Sequence, residues 1–136
     1  MAQRIFSVRS ATIRGVEAVP VAVEVVISNG IPSFSIVGMP DAAIQESRER
    51  IRSALRASGF TMPSDKIVVN LAPGALRKSG SGFDLPIALG LLAATGQIDP
   101  ALVDGALVVG ELSLGGDVRS VRGMLAFEKC AQDEGL

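Results

Sequence analysis

Residues 85–94, LPIALGLLAA, form an apolar run without a charged residue and leave almost no polar face on a helix. A membrane span needs about 20 such residues; this run is about half that and contains Pro86 and Gly90. The pattern predicts a helix over Leu85–Thr95, buried centrally against a sheet, with Asp84 as its N-cap and Gly96 as its stop. The remaining chain must then supply strands and further helices to cover it.

Those strands are legible upstream. Ile5–Ile13 and Val19–Ser28 are rich in β-branched residues, with Arg14-Gly15 between them and Asn29-Gly30 after them, which predicts an antiparallel pair. Ser33–Val37 reads as a third strand, and Gly38-Met39-Pro40-Asp41 then breaks the pattern, with Asp41 as N-cap of the next helix. Over Ala42–Ser58 the residues Ile44, Ile51 and Leu55, flanked by Ala43, Ser47 and Ala54, recur on one helical face, and Gly59 stops the helix. Lys66–Leu71 reads as a buried strand and Arg77–Gly82 as a mobile loop. Ala106–Val109 reads as a short strand. Leu112–Leu114 and Val118–Ser120 flank Gly115-Gly116 as a hairpin, and Met124–Glu134 is a last helix. Strands first and helices inserted later indicate α+β, or mixed α/β, architecture. At 136 residues the chain is read as one domain, 1–136.

Composition narrows the chemistry. There is no histidine, which removes Ser-His-Asp and Cys-His sites and histidine-ligated metals. Cys130 is the only cysteine, so no intramolecular disulfide or Cys-rich zinc site can form, and a reducing cytoplasm fits. The start, MAQRIFSVRS, lacks the apolar middle of a secretory signal and reads as the start of the mature chain. Net charge is −1, but residues 1–80 hold ten basic and six acidic side chains, whereas residues 81–136 hold three and eight. Such asymmetry suits contact with a polyanion or with a neighbouring copy.

Three features bear on function. The Gly-rich segment 74–82 lacks GxxxxGK[ST]: Lys78 precedes Gly80, and Asp84 puts a carboxylate where phosphates would sit, so the segment reads as a connection and not a nucleotide loop. Arg48, Arg52 and Arg56 recur every fourth residue, predicting an exposed row about 12 Å long that Arg77 and Lys78 could extend. The row is open to three readings: a solvated face neutralised by Glu49 and nearby acids, a DNA-facing surface, or a subunit contact. With no aromatic residue nearby, DNA contact would be directed at the backbone and sensitive to salt. A Ser-Lys dyad is the one nucleophilic arrangement left, with Ser79, Ser81, Lys66, Lys78 and Lys129 as its available parts.

The segments FSIVGMPDAAIQESRERIRSALRASGF (34–60), KIVVNLAPGAL (66–76), GFDLPIALGLLAA (82–94) and VGELSLGGDVRSVRG (109–123) resemble, in order, the N-terminal domain of the bacterial magnesium-chelatase-like AAA+ ATPases, the YifB/ComM group. The resemblance implies a fold like the proteolytic C-terminal domain of Lon protease, a ribosomal-protein-type β-α arrangement with a mixed sheet and about three helices. It also implies that the final strand of that sheet and the AAA+ module, with its ATP and Mg, lie beyond residue 136. Laid on the Lon pattern, the serine position falls on Gly82 and the lysine position on Leu125, neither of which can do the chemistry. A shifted dyad of Ser81 and Lys129 is the residual peptidase reading. The group includes a competence-linked branch-migration helicase. The resemblance therefore implies a non-catalytic domain, without cofactor or metal of its own, that aids assembly of a hexameric ring and touches single-stranded or branched DNA. A structural, partner-binding module without DNA affinity is the alternative. No membrane partner is expected.

Overall fold

The structure, a computed structural model, describes residues 3–136. Met1 and Ala2, where the mature chain was expected to start, lie outside them. The described chain is a mixed α+β domain with a four-stranded sheet, a small two-stranded sheet and three α-helices. The elements are β1 (Arg4–Arg14), β2 (Glu17–Ser28), β3 (Ser33–Val37), α1 (Ala42–Ala57), β4 (Lys66–Ala72), α2 (Asp84–Ala94), a 3-10 turn (Pro100–Val103), β5 (Glu111–Leu112), β6 (Val118–Arg119) and α3 (Met124–Asp133). The larger sheet runs β1-β2-β4-β3. β2 is antiparallel to β1 and β4, and β3 pairs parallel to β4 through the α1 crossover.

Strand alternation sorts the sheet into unequal faces. Val21, Val23, Val25 and Ile27 of β2, Ile67, Val69 and Leu71 of β4, and Phe34 and Ile36 of β3 are buried on one side. They form one cluster with Ile44, Ile51 and Leu55 of α1 and Ile87, Leu91 and Leu92 of α2. Each fully buried Val, Leu or Ile in such a cluster contributes about 1.5–3 kcal/mol relative to exposure. Gly90 lets α2 lie close on the sheet, since a Cβ there would sit 2.6 Å from Val25 Cγ2. The opposite face is covered at one end by α3, where Phe127 and Cys130 pack with Ala11, Ile13 and Ala18.

The outer strands are protected differently. The free carbonyls of β3 accept from α1 side chains, Phe34 O from Arg48 Nη1 and Ile36 O from Gln45 Nε2, both at 3.3 Å. Such cover blunts a sheet edge. Beside β1, the expected strand Ala106–Val109 is reduced to one parallel bridge, Arg9 with Leu107, supported by Val108 N–H donating to Arg9 O at 2.8 Å. It stops there because Gly110 turns to the start of α2: its N–H donates to Gly82 O and its carbonyl accepts from Leu85 N–H.

Asp41 caps α1 as expected, its Oδ1 accepting from Ile44 N–H at 2.9 Å. Asp84 does not cap α2. Phe83 occupies the N-cap position without a side-chain bond, and Asp84, the first helical residue, turns into the interior. A basic partner was available inside the fold, and pairing with it replaces the capping bond.

Candidate functional site: a groove edged by free arginines

The segment between β4 and α2 is not the mobile loop that its glycines suggest. Lys78, expected on the surface with the DNA-facing residues, is 0% exposed. Its ammonium donates to Gly38 O at 2.7 Å and to Pro73 O. Burial pushes its pKa down. In this position the side chain fastens two turns together and offers no charge to a phosphate. Its backbone is equally engaged, Lys78 N–H donating to Met39 O and Asp41 N–H to Lys78 O, both at 3.1 Å. Gly38 makes the junction possible: its φ is +103°, and a Cβ would lie 2.2 Å from Leu71 O. Two further bonds hold the next residues, Ser79 N–H to Thr12 Oγ1 at 3.2 Å and Gly80 N–H to Asp41 Oδ2 at 3.0 Å.

Beneath this segment lies an ion pair that helical spacing alone did not reveal. Arg50 reaches from α1 to Asp84 through two bonds, Nε to Oδ2 at 2.7 Å and Nη2 to Oδ1 at 3.0 Å. Asp84 Oδ2 also accepts from Leu112 N–H at 3.0 Å, so α1, α2 and β5 meet at one carboxylate. The hydrogen bond to Asp84 pushes the Arg50 pKa further up. The pair organises the fold around the groove and does not face it.

The arginine row on α1 is only partly free. Arg48 and Arg52 are half-buried. Besides its bond to β3, Arg48 donates through Nε to Gln45 O. Arg52 is paired with Glu49 at 2.8 Å and stands 5.6 Å from the centre of the Phe34 ring. A continuous exposed row is therefore not formed; Arg56 alone of the three is exposed. Arg77 is exposed as expected.

The shifted dyad is not assembled. Ser81 lines the groove before α2, whereas Lys129 lines a separate depression with Val16 and Glu17 and is paired with Asp133 at 3.2 Å. Among the described residues no lysine donates to a serine hydroxyl. At the positions implied by the Lon pattern, Gly82 has room for a side chain, a Cβ there meeting Val121 at 3.5 Å, while Leu125 is 84% exposed.

What the fold does build is a two-part groove around Ser79. One part, about 370 Å³, is lined by Ile13, Arg14, Ala75, Leu76, Arg77 and Ser79. The other, about 380 Å³, includes Ser79 to Phe83, Glu111, Ser120, Val121, Arg122 and Phe127, and the parts meet at Ile13 and Ser79. Arg14 and Arg122 were not among the residues expected here. No periodicity links them to Arg77: each sits next to a turn, before Gly15 or Gly123, and only folding brings them together. Among the described residues no group of three or more His, Cys, Asp or Glu side chains could hold a metal ion. Among the described residues no helix is long and apolar enough to cross a membrane.

Comparison with known proteins matches most of the chain to one family. The family described as subunit ChlI of Mg-chelatase matches residues 23–136. The protein YifB of Salmonella typhimurium is 46% identical over 112 residues, covering 82% of this chain and 22% of that protein. The competence protein ComM of Haemophilus influenzae is 45% identical over 118 residues, covering 87% and 23%. An uncharacterized protein of Mycobacterium tuberculosis is 39% identical over 126 residues, covering 93% and 25%. The chain thus spans about a quarter of the length of these relatives. A family match across most of the chain, with relatives this similar, shows that the chain belongs to the Mg-chelatase-like family that includes YifB and ComM.

Proposed function

We propose that this chain is the non-catalytic N-terminal domain of an AAA+ ATPase that works on DNA in the cytoplasm. In this reading it packs against neighbouring subunits of a ring, a hexamer, and touches single-stranded or branched DNA while the ATPase part drives branch migration. ATP and Mg belong to that other part, and this domain holds no cofactor. The observation that carries the reading is the 45% identity to a competence protein across 87% of the chain. The chemistry is compatible: among the described residues there are exposed arginines without carboxylate partners, which suit phosphate contact, and no lysine engages a serine hydroxyl. Fold alone would not distinguish these roles.

The test is made on the full-length protein, with and without residues 1–136, by native mass spectrometry and by an ATP-dependent branch-migration assay. Loss of migration, with fewer or less stable rings, is expected on deletion. Unchanged ring size and unchanged migration would remove both roles. A second reading, assembly without DNA affinity, is favoured by the exposed side chains of Leu114, Val118, Met124 and Leu125 near the small hairpin and the start of α3. It predicts that deletion alters ring formation while DNA binding by the isolated domain is absent.

A further inference from the structure

We infer that the groove around Ser79 is the surface on which a DNA backbone docks, with Arg14, Arg77 and Arg122 as its phosphate contacts. The inference rests on the DNA reading above and gives it a location away from the α1 row. The argument begins with which arginines are free. Arg4, Arg9, Arg50, Arg52 and Arg119 have carboxylate partners, and Arg48 donates to two carbonyls. Among the described residues this leaves Arg14, Arg56, Arg77 and Arg122 with neither an ion pair nor a hydrogen bond to the protein. Three of these four line the two parts of one groove, although they come from the end of β1, the β4–α2 segment and the β6–α3 connection. All three are exposed.

The groove's acidic content does not cancel them. Glu111 is its one carboxylate, and it stands 4.0 Å from Arg119 outside the groove. Glu17 faces Arg14 in the β1–β2 register but makes no ion pair with it. Between the arginines lie Ser79, Ser81 and Ser120, whose hydroxyls are engaged by no protein partner among the described residues and can donate to phosphate oxygens. The floor is held before any ligand arrives, by the buried Lys78 and by the bonds from Ser79 and Gly80 to Thr12 and Asp41. A preformed floor lowers the ordering cost of binding. The aromatic rings nearby, Phe83 and Phe127, are 1% and 6% exposed, so no base can stack on them. The groove therefore suits the sugar-phosphate chain and not the bases, with little sequence preference and strong salt dependence.

The test uses the 136-residue chain and fluorescent single-stranded and branched oligonucleotides, read by anisotropy between about 50 and 200 mM salt. Arg14→Ala/Arg77→Ala/Arg122→Ala is expected to weaken binding at least about tenfold and to reduce the slope of log K against log salt by about 2. The same three positions changed to Lys should keep most of the affinity, and Arg56→Ala should leave it within about twofold, because charge in the groove is what counts. Circular dichroism melting shows whether each variant is folded. Undiminished binding by the folded triple alanine variant, or an equal loss in Arg56→Ala, would overturn the groove while leaving DNA contact by the domain standing. If wild type binds no DNA even at low salt, the DNA reading itself falls. Inorganic polyphosphate then reads the groove alone: binding lost in the triple variant upholds its phosphate chemistry, and no binding overturns it.

Discussion

Two sets of arginines carry the same guanidinium and stand in opposite surroundings. On α1, Arg48 donates to Phe34 O of β3, Arg50 donates to the buried Asp84, and Arg52 pairs along the helix surface with the exposed Glu49 beside the Phe34 ring. Around Ser79, Arg14, Arg77 and Arg122 come from the end of β1, the β4–α2 segment and the β6–α3 connection, and among the described residues no protein acceptor takes a hydrogen bond from them. A charge repeated at helical spacing is thus no measure of charge available to a ligand. A helix packed beside a sheet edge presents its long side chains with acceptors, whereas loop ends leave theirs to solvent.

The sharpest way to break the contrast is at Arg50. Replacing it with Met leaves the fully buried Asp84 carboxylate without its counter-charge, and a loss of about 3 kcal/mol is expected. Thermal denaturation should show a Tm lower by about 10 °C. A fall of a degree or two would mean that the pair adds little to the junction of α1, α2 and β5. Any loss of DNA binding should track unfolding and disappear when binding is measured well below the Tm.

Lys78 sharpens the contrast from the side of the buried cation. Burial lowers its pKa in the folded state, so between that value and the ordinary 10.5 the unfolded chain holds more protons than the folded one. Stability from this group therefore rises as pH is raised through that window. A neutral amine keeps two N–H donors for Gly38 O and Pro73 O, so both bonds survive deprotonation. Melting of wild type and Lys78→Met at pH 7 and at successively higher pH should show wild type gaining relative to the variant. A difference independent of pH would show that the ammonium is not desolvated.

Smaller effects are expected at the half-buried positions. Arg48→Ala removes one bond to β3, at Phe34 O, and one to Gln45 O within α1, and Arg52→Ala removes a cation–π contact and a surface pair; each should cost about 0.5–1 kcal/mol by urea denaturation. Affinity for DNA should stay within about twofold. A large affinity loss with unchanged stability would place DNA on α1 after all. The smallest stability effect belongs to the groove: alanine at Arg14, Arg77 and Arg122 together should shift stability by no more than about 0.5 kcal/mol, since among the described residues these exposed side chains make no ion pair or hydrogen bond to the protein. A larger destabilisation would mean that they contribute to the fold and are not held free for a ligand.

Much of the fold was legible because its elements are locally consistent. Ser33–Val37 was read with the same ends as β3, and α1, α2 and α3 were each read to within one residue at either end. Apolar periodicity, Asp41 and the stopping glycines all favoured the same boundaries. Ala106–Val109 misled because a short apolar run reads alike whether it pairs over its length or makes one bridge before turning. The 77–82 segment misled for a related reason. Glycine and serine mark a backbone that can adopt unusual angles, and they say nothing of the hydrogen bonds that hold it once folded. Lys78 looked like surface charge because lysine usually is; its two carbonyl partners come from turns around Gly38 and Pro73.

The sequence by itself determined the class of fold, the central burial of α2, the lack of histidine chemistry and, through its ordered segments, the family. These depend on local pattern and on which residue types are present. Only the tertiary structure decided which charges are free, because freedom depends on acceptors contributed by distant segments. Asp84 lies 34 residues from Arg50, and Gly38 lies 40 from Lys78. The same long-range folding draws Arg14, Arg77 and Arg122 to one groove and sends Ser81 and Lys129 to different ones.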